Sequence, residues 1–252
     1  MKAAKDHKQE RERLESLETY SVMDSLPEAD YDNLTRLAAH ICGTPISLIT
    51  LLDDKRQWFK SNHGLKVRET PKEHAFCAHA VNEKEGLFVI EDARKDERFH
   101  DNPLVTSDPN VIFYAGVPLM TREGLPLGTL CVIDHEPKIL DKAQVDALNV
   151  LSEQIMRLLE LRKSKLELVR VNQELESRNA ELESFVDNVA HDLKSPLGNI
   201  WTFTDVLQKG HSEMLDEKGR KILGMIKMSS EKLGRLIDGL LEHAISIGRD
   251  ME

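Results

Sequence analysis

The 252-residue sequence contains no long apolar run, few cysteines and no excess of positive charge. Without a run of about 18 apolar residues, no membrane-spanning helix is predicted, and the polar N-terminus lacks the apolar core of a signal peptide. We therefore expect a cytoplasmic protein without a membrane partner.

The three cysteines, Cys42, Cys77 and Cys131, are odd in number and far apart, which argues against a disulfide framework. A formal net charge of −10 without a basic stripe argues against a nucleic-acid partner.

Charged residues make up 31% of the sequence and aromatic residues only 5%, a composition typical of a chain rich in exposed helix. The length allows two units, each with its own hydrophobic core. We predict an α+β protein in three segments. A sheet-containing unit spans residues 1–150, a long helix spans residues 151–183 and an antiparallel helical hairpin spans residues 184–252.

Apolar and β-branched segments in the first unit predict an antiparallel sheet. Two helices precede it: a charged, exposed helix over residues 2–20, and an amphipathic helix that ends near Cys42-Gly43. The predicted strands cover residues 45–54, 57–61, 86–91, 113–120 and 128–134, and the first two form a hairpin. Five or six strands with helices before and after them favour a sheet that is covered by helices.

A heptad repeat begins at Leu151. Position d is filled by Leu161, Leu168, Leu175, Leu182 and Val189, and position a by Leu151, Leu158, Lys165, Asn172, Asn179 and Val186. Leucine at d with asparagine at a favours a parallel two-stranded coiled coil, because buried asparagines fix its register. We therefore predict a homodimer. A turn over residues 209–213 and a final helix to about Ile247 complete the hairpin, and two hairpins make a four-helix bundle.

His191 lies on the first helix of this hairpin, away from its apolar face. That face carries Phe185, Val186, Val189, Leu193, Leu197 and Ile200 at helical spacing. In the heptad register His191 falls at position f, opposite the predicted seam. A histidine that is exposed on a rigid helix beside an aspartate, Asp192, is placed to act as a nucleophile. Pro196 removes a backbone N–H within the helix and should kink or loosen it.

The segment around His191 resembles the phosphoacceptor box of the dimerisation domain of sensor histidine kinases. It matches that family's pattern at Phe185, Ala190, His191, Asp192, Leu193, Lys194, Ser195, Pro196, Leu197 and Ile200. The resemblance implies that His191 is phosphorylated. Asp192 would orient the ring N–H or take its proton as a general base; the alternative is an ordinary exposed acid.

Two residues after the histidine have open roles. Lys194 would offset the charge of phosphohistidine, or it would be an ordinary solvated lysine. Many relatives carry Thr or Asn four residues after the histidine, where it positions water for phosphatase action. Here that residue is Ser195, which lacks the methyl group of Thr, so the resemblance leaves phosphatase activity open.

Six segments of the first unit resemble successive blocks of the GAF sensor family, and they occur in that family's order. They cover residues 51–61, 76–79, 92–99, 102–105, 113–119 and 128–134. The resemblance spans roughly residues 12–160. It implies a six-stranded antiparallel sheet with a small-molecule pocket on one face. Candidates for that pocket are Cys77, Phe113 and Tyr114; the alternative for Phe113 and Tyr114 is core packing. It does not name the ligand, because GAF domains bind cyclic nucleotides, tetrapyrroles, haem or no known ligand.

Other clusters in the first unit give weaker signals. His74, Cys77 and His79 lie within six residues, and such a cluster can ligate a transition metal. No fourth ligand is evident nearby and the Phe-Cys-Ala-His block belongs to the GAF framework, so we predict no metal site. Covalent tetrapyrrole attachment at Cys77 is disfavoured, because the Cys-His dipeptide typical of such attachment is missing. Three charged residues are expected to tie down a loop: Asp92, Asp96 and Arg98.

Together these patterns predict the sensor and phosphoacceptor portion of a cytoplasmic histidine kinase of the two-component class. Its partners would be a response-regulator receiver domain, which accepts the phosphoryl group on an aspartate, and an ATP-binding domain supplied in cis or in trans. We expect ATP and Mg²⁺ only with that domain, because the sequence reaches Glu252 without its motifs and contains no Gly-x-x-x-x-Gly-Lys-(Ser/Thr) loop. Whether this chain alone is an enzyme stays open. The alternatives are a short phosphotransfer or scaffold protein without kinase activity, and a ligand-binding GAF dimer whose histidine box has lost its function.

Overall fold

The sheet of the first unit has six strands, and every neighbouring pair is antiparallel. We describe it from a computed structural model of residues 1–83 and 86–249, apart from the side chains of residues 212 and 242–249. The strand order is β3-β2-β1-β6-β5-β4. The strands are β1 (Ile46–Leu52), β2 (Arg56–His63), β3 (Glu69–Pro71), β4 (Phe88–Ile90), β5 (Phe113–Met120) and β6 (Pro126–Asp134). The predicted antiparallel sheet is therefore confirmed, with the short β3 as the strand that the sequence pattern missed.

The helices of the described residues are α1 (Glu10–Thr19), α2 (Ala29–Cys42), α3 (Cys77–Ala80), α4 (Pro103–Thr106), α5 (Lys142–Gly210) and α6 (Glu217–Arg249). Short 3₁₀ helices lie at Lys72–His74, Ala93–Lys95 and Ser212–Met214. None of the helices in this described part has the length and hydropathy needed to cross a bilayer. The chain divides into two compact units, Met1–Leu166 and Glu167–Glu252. Residues 250–252 of the predicted hairpin segment lie outside the described residues.

Strand residues alternate between two hydrophobic cores, one on each face of the sheet. The cause is the pleat, which points successive side chains to opposite faces. Phe113 packs with Ile49 in the core that α1, α2 and the start of α5 cover. Tyr114 packs with Leu48 in the core on the side of α3 and α4. Both faces are thus covered, as the sequence predicted.

The N-terminal helix is shorter and less exposed than the prediction. α1 begins at Glu10 and ends at Thr19, and Arg13 within it is fully buried. Nη1 of Arg13 donates to the carbonyl oxygen of Leu52 at 2.7 Å, while Nε and Nη2 donate to the Glu10 carboxylate at 2.7 and 2.8 Å. A buried guanidinium is tolerated when its N–H groups are satisfied in this way. The predicted exposure was wrong because the partner carbonyl comes from a strand, which a helical pattern cannot reveal.

Glu10 is expected to make the first unit sensitive to acid. Burial alone would raise the pKa of Glu10, but hydrogen bonds from Arg13 and Lys72 outweigh it and lower the pKa from 4.5 to about 2. The ionised carboxylate therefore stabilises the fold above pH 4.5, and the contribution, about 1 kcal/mol after solvent screening, is lost as the pH falls toward 2. The difference in unfolding free energy between the native chain and E10Q, measured with urea, should be full at pH 7 and shrink steadily as the pH falls from 4.5 toward 2. A difference that stays constant with pH would contradict this assignment.

The heptad repeat is not a dimer seam along its whole length. Leu148, Leu151, Ile155 and Leu159 of α5 are buried in the core against the sheet. Leu158 is partly buried against the same core. The predicted seam position at Leu151 was therefore wrong, because a helix face that covers a sheet has the same i, i+3, i+4 spacing as a coiled-coil seam. The seam position at Leu158, which is partly exposed, stays a prediction. The later d-position leucines are exposed within one chain: Leu161, Leu168, Leu175 and Leu182.

Candidate functional site

His191 is presented to solvent by α5, with 87% of its side chain exposed beside an equally exposed Asp192. Its Nδ1 lies 3.6 Å from Oδ1 of Asp192. That distance is longer than a hydrogen bond, so a small rotation of either side chain is needed before Asp192 can accept the ring N–H. When Nδ1 carries that proton, the lone pair is on Nε2. The pair can therefore present a neutral imidazole nucleophile to a substrate in solution.

The helix is uninterrupted through the predicted kink. Pro196 lies inside α5, which continues to Gly210. Because proline has no N–H, it cannot donate to the carbonyl of Asp192, four residues earlier. Ser195 is exposed one helical turn after His191, so the two residues share a face of the helix. A partner that approaches His191 therefore also meets Ser195.

The apolar stripe next to His191 is exposed in the single chain. Its exposed members are Phe185, Val189, Leu193, Ile200 and Phe203. Leu197 and Ile200 also line an apolar groove together with Ile222, Ile226 and Leu233 of α6. Exposed apolar surface of this extent marks an interaction site, since water is a poor solvent for it. The stripe and His191 occupy different faces of α5, as the predicted register requires.

Lys194 is paired within the hairpin, a role that neither sequence alternative described. Its Nζ lies 2.6 Å from Oδ1 of Asp238 in α6. Two further polar contacts join the same helices: Nε1 of Trp201 donates to Glu231 at 3.1 Å, and Lys227 contacts Asp205 at 2.6 Å. The pattern around His191 could not show this pairing, because Asp238 is 44 residues further along the chain.

If His191 is the phosphoacceptor that the sequence predicts, replacement of Lys194 by alanine should change its phosphorylation by about twofold or less. The ammonium is already paired with Asp238, and an exposed pair of this kind contributes about 0–1 kcal/mol. Thermal unfolding should therefore shift only slightly. Labelling rates of the native chain, K194A and D238N measure the effect. A tenfold loss in K194A that D238N does not share would instead assign Lys194 a role at the phosphoryl group.

A cavity of about 430 Å³ lies on the α3 and α4 side of the sheet. Its apolar wall includes Leu48, Phe59, Phe76, Val111, Tyr114 and Ile133. Polar groups are supplied by Gln57, Thr70 and His135, and charged groups by Lys66, Glu69 and Asp108. The hydroxyl of Thr70 is buried and has no hydrogen-bond partner among the described residues. Buried polar groups are nearly always satisfied, so this hydroxyl is available to a molecule in the cavity.

The three residues predicted near a pocket do not come together around this cavity. Tyr114 lines it, but Phe113 belongs to the opposite face of the sheet. Cys77 is fully buried in a separate small cluster, where its Sγ donates to Oε1 of Gln57 at 2.8 Å. Burial raises the pKa of the Cys77 thiol well above its ordinary value. The thiol therefore stays protonated at neutral pH, which does not suit it to covalent attachment.

The other sequence clusters are structural. Among the described residues, no group of three or more His, Cys, Asp or Glu side chains could hold a metal ion, so His74, Cys77 and His79 do not form one. Asp96 accepts hydrogen bonds from the backbone N–H and the guanidinium of Arg98. These hydrogen bonds lower the pKa of Asp96, although burial opposes them. Asp92 caps the 3₁₀ helix at Ala93–Lys95. These contacts fix the loop, as predicted.

Besides Arg13, the sequence analysis missed a second buried charge in the first unit. Lys60 of β2 has a fully buried side chain, and its Nζ lies 2.5 Å from Oε1 of Glu28. The sequence did offer a signal, because Lys60 follows Trp58 and Phe59 in a predicted strand, and a lysine is buried in such a strand only when a partner compensates its charge.

Two family models match the chain, one for each unit. The GAF domain model matches residues 27–159, more than half of the chain, and the His Kinase A (phospho-acceptor) domain model matches residues 181–244. A crystal structure of the GAF domain from an Acinetobacter phosphoenolpyruvate-protein phosphotransferase has 21% sequence identity and a TM-score of 0.46, and the match covers 62% of this chain and 96% of that one.

Curated relatives match over part of their length. A cyclic di-GMP phosphodiesterase of Pseudomonas aeruginosa is 49% identical over 108 residues, which are 43% of this chain and 18% of the relative. The methanogenesis regulatory histidine kinase FilI of Methanothrix harundinacea is 30% identical over 122 residues, which are 46% of this chain and 13% of the relative. The chain thus spans less than a fifth of these relatives' lengths. The chain belongs to the GAF domain family, and its GAF domain is followed by a HisKA phospho-acceptor domain, which is the domain order of a sensor histidine kinase.

Proposed function

We propose that this chain is the sensor and phosphoacceptor portion of a two-component histidine kinase, in which His191 accepts a phosphoryl group and passes it to an aspartate of a response regulator. The observation that carries the proposal is the exposed His191–Asp192 pair within the HisKA match. The similarity to a methanogenesis regulatory histidine kinase supports it. A cytoplasmic location is part of the proposal, because ATP, the phosphoryl donor, is made there.

The chemistry at His191 is an in-line displacement. Nε2 attacks the γ-phosphorus of ATP, the N–P bond forms, and the bond from that phosphorus to the bridging oxygen breaks with ADP as the leaving group. Asp192 accepts the Nδ1 proton as positive charge develops on the ring. ATP and Mg²⁺ are held by a separate ATP-binding domain, in cis or in trans. In the second step an aspartate of the receiver domain displaces the imidazole, and Ser195 positions water if the chain also acts as a phosphatase.

The proposal includes a homodimer. HisKA domains imply dimerisation in histidine kinases, and the exposed apolar stripe and groove of α5 and α6 supply the surface that a second copy would bury. The exposed heptad leucines from Leu161 onward extend that surface as a parallel coiled coil. Because His191 lies off the stripe, it stays accessible after dimerisation.

The 430 Å³ cavity is the proposed site of the signal. Its volume lies within the range of small-molecule sites, and apolar walls with a few polar groups are typical of them. The unpartnered Thr70 hydroxyl and the Gln57 amide offer hydrogen bonds to such a ligand. In this proposal a ligand alters the GAF domain, and α5 carries the change toward His191.

Replacement of both Asn172 and Asn179 by isoleucine should stiffen the seam and blunt regulation. Buried asparagine lowers coiled-coil stability while it fixes the register, so N172I/N179I should dimerise at least about tenfold more tightly. Sedimentation measures the dimer constant, and the labelling rate of His191 should respond less to substitutions in the cavity. Q173I, one position off the seam, is the matched control. Unchanged dimerisation and unchanged regulation in the double variant would show that Asn172 and Asn179 do not lie in a dimer seam.

Phosphoryl transfer onto the purified chain tests the proposed function. The chain is incubated with labelled ATP and Mg²⁺ alone, with a separately supplied histidine-kinase ATP-binding domain, or with a phosphorylated receiver domain. Acid-labile, base-stable label that requires the ATP-binding domain supports the kinase portion. Label that comes from the receiver alone supports the phosphotransfer alternative. No label on a folded dimer under any condition would overturn both and favour a sensor or scaffold.

A further inference from the structure

Lys60 is a buried cation at the centre of a polar cluster in the sensor unit. Its Nζ donates to Oγ of Ser25 at 2.8 Å, to the carbonyl of Leu26 at 2.9 Å and to Oε1 of Glu28 at 2.5 Å. It also lies 5.0 Å from the ring centroid of Tyr31. A buried ammonium is stable only while such partners compensate it. Lys60 therefore fixes the segment before α2 to strand β2.

Lys60 is also the extra residue of a β-bulge. In the pairing of β1 with β2, Ser61 lies opposite Ile49 and Phe59 lies opposite Thr50, so Lys60 has no opposite residue. A bulge redirects side chains and is a local break in an otherwise stiff ladder. Phe59, immediately before it, is part of the cavity wall. A displacement of Phe59 by a molecule in the cavity thus acts directly on the backbone of Lys60.

The carboxylate of Glu28 connects this bulge to α5. The Oε1 atom that accepts from Lys60 also accepts from Nη1 of Arg162 at 2.7 Å. Nη2 of Arg162 donates to the carbonyl of Ser21 at 3.4 Å, while its buried Nε has no hydrogen-bond partner within the described part of the chain. One oxygen of the Glu28 carboxylate therefore accepts hydrogen bonds from Lys60 of β2 and from Arg162 of α5.

The segment between α1 and α2 is strained where it contacts α5. Ser21 and Asp24 have φ angles of +46° and +57°, a region that costs non-glycine residues free energy. Nearby, the hydroxyl of Tyr20 donates to Oε1 of Glu160 at 2.5 Å, and Nζ of Lys163 lies 4.9 Å from the Tyr20 ring centroid. Contacts with α5 over residues 160–163 therefore hold the Tyr20–Ser21 end of this segment, while Asp24 is held by Arg56 of β2.

We propose that Lys60, Glu28 and Arg162 form a latch that couples the cavity to α5 where the helix leaves the sheet. A molecule that displaces Phe59 shifts the Lys60 bulge, weakens the hold of Glu28 on Arg162 and frees α5 from residue 160 onward. This inference rests on the proposed sensor function, and it assigns the regulation to three residues. The coupling is reciprocal, so loss of the latch also changes the cavity.

Native-state hydrogen exchange in the full chain tests the latch without any ligand. In E28Q, the amides of residues 160–166 should exchange about tenfold faster than in the native chain. E174Q, which removes the exposed Glu174–Arg178 pair on the same helix, is the matched control and should leave them within about twofold. R162K, which keeps the charge but loses the forked contacts, should give a smaller acceleration and replaces E28Q if that variant fails to fold.

The coupling to the cavity is tested by a double-mutant cycle. F59L should accelerate exchange of residues 160–166 about threefold in the native chain and have no further effect in E28Q. F76L makes the same change on the cavity wall away from the bulge, and it should leave these amides unchanged in both backgrounds. Unchanged exchange in both E28Q and R162K, or additive effects of F59L and E28Q, would overturn the latch. These experiments measure hydrogen exchange and no phosphoryl transfer. A negative result would therefore contradict the latch and leave the proposed role of His191 unaffected.

Discussion

Replacement of His191 by glutamine is expected to abolish phosphorylation of the chain, with a loss of at least about a thousandfold. Glutamine is similar in size and polarity but has no ring nitrogen with a free lone pair, so it cannot form the N–P bond. His191 is solvent-exposed, and the substitution should therefore leave folding unchanged. The measurement is acid-labile, base-stable label after incubation with ATP, Mg²⁺ and a separately supplied histidine-kinase ATP-binding domain.

Two variants sharpen the assignment of His191. H211Q replaces another exposed histidine, just beyond the end of α5, and should keep full labelling. D192N removes the proton acceptor but keeps the size of the side chain, so its labelling rate should fall about a hundredfold while the dimer stays intact. If the label persists in H191Q, another residue is the acceptor. If D192N labels at the native rate, Asp192 is an ordinary exposed acid.

Local patterns in the sequence were sufficient for five of the six strands and for the position of His191 on its helix. β-branched runs, turn residues and helical spacing depend on neighbours within a few positions. The opposite faces of Phe113 and Tyr114 follow from the same period of two, although the sequence analysis grouped the two residues at one pocket. That error came from reading adjacent residues as a shared site, when adjacent strand residues point apart.

Contacts between distant parts of the chain could not be predicted in this way. The buried guanidinium of Arg13 donates to a carbonyl of β1, and the ammonium of Lys194 forms an ion pair with Asp238 of α6. Leu151 shows the same limit for apolar residues, because its spacing fits a coiled coil and a sheet-covering helix equally well. In each case the residue's environment is set by the fold, and a charged or leucine-rich helix pattern carries no information about which surface lies opposite.

Replacement of Gly128 by alanine should destabilise the GAF domain far more than the same replacement at Gly124. Gly128 lies in β6 opposite Leu51 of β1, and an added Cβ would lie 1.9 Å from the carbonyl oxygen of Thr50. The carbonyl oxygen belongs to backbone in the centre of the sheet, and the backbone of β6 fixes the position of the Cβ, so neither atom can rotate away. We expect a loss of about 3 kcal/mol or more. G124A, in the turn between β5 and β6, is the matched control.

The control separates steric overlap from backbone strain. Gly124 has a φ of +80°, but nothing lies within 4 Å of an added Cβ there, so G124A should cost only about 1 kcal/mol. Urea unfolding followed by Trp58 fluorescence in a W201F background measures both, because Trp58 is buried in the sensor core. Equal losses in G128A and G124A would contradict the close approach of β1 and β6. His191 lies in the other compact unit, so G128A should still be phosphorylated at His191. Its phosphorylation should no longer respond to changes in the cavity. The variant would thus separate sensing from phosphoryl acceptance in one chain.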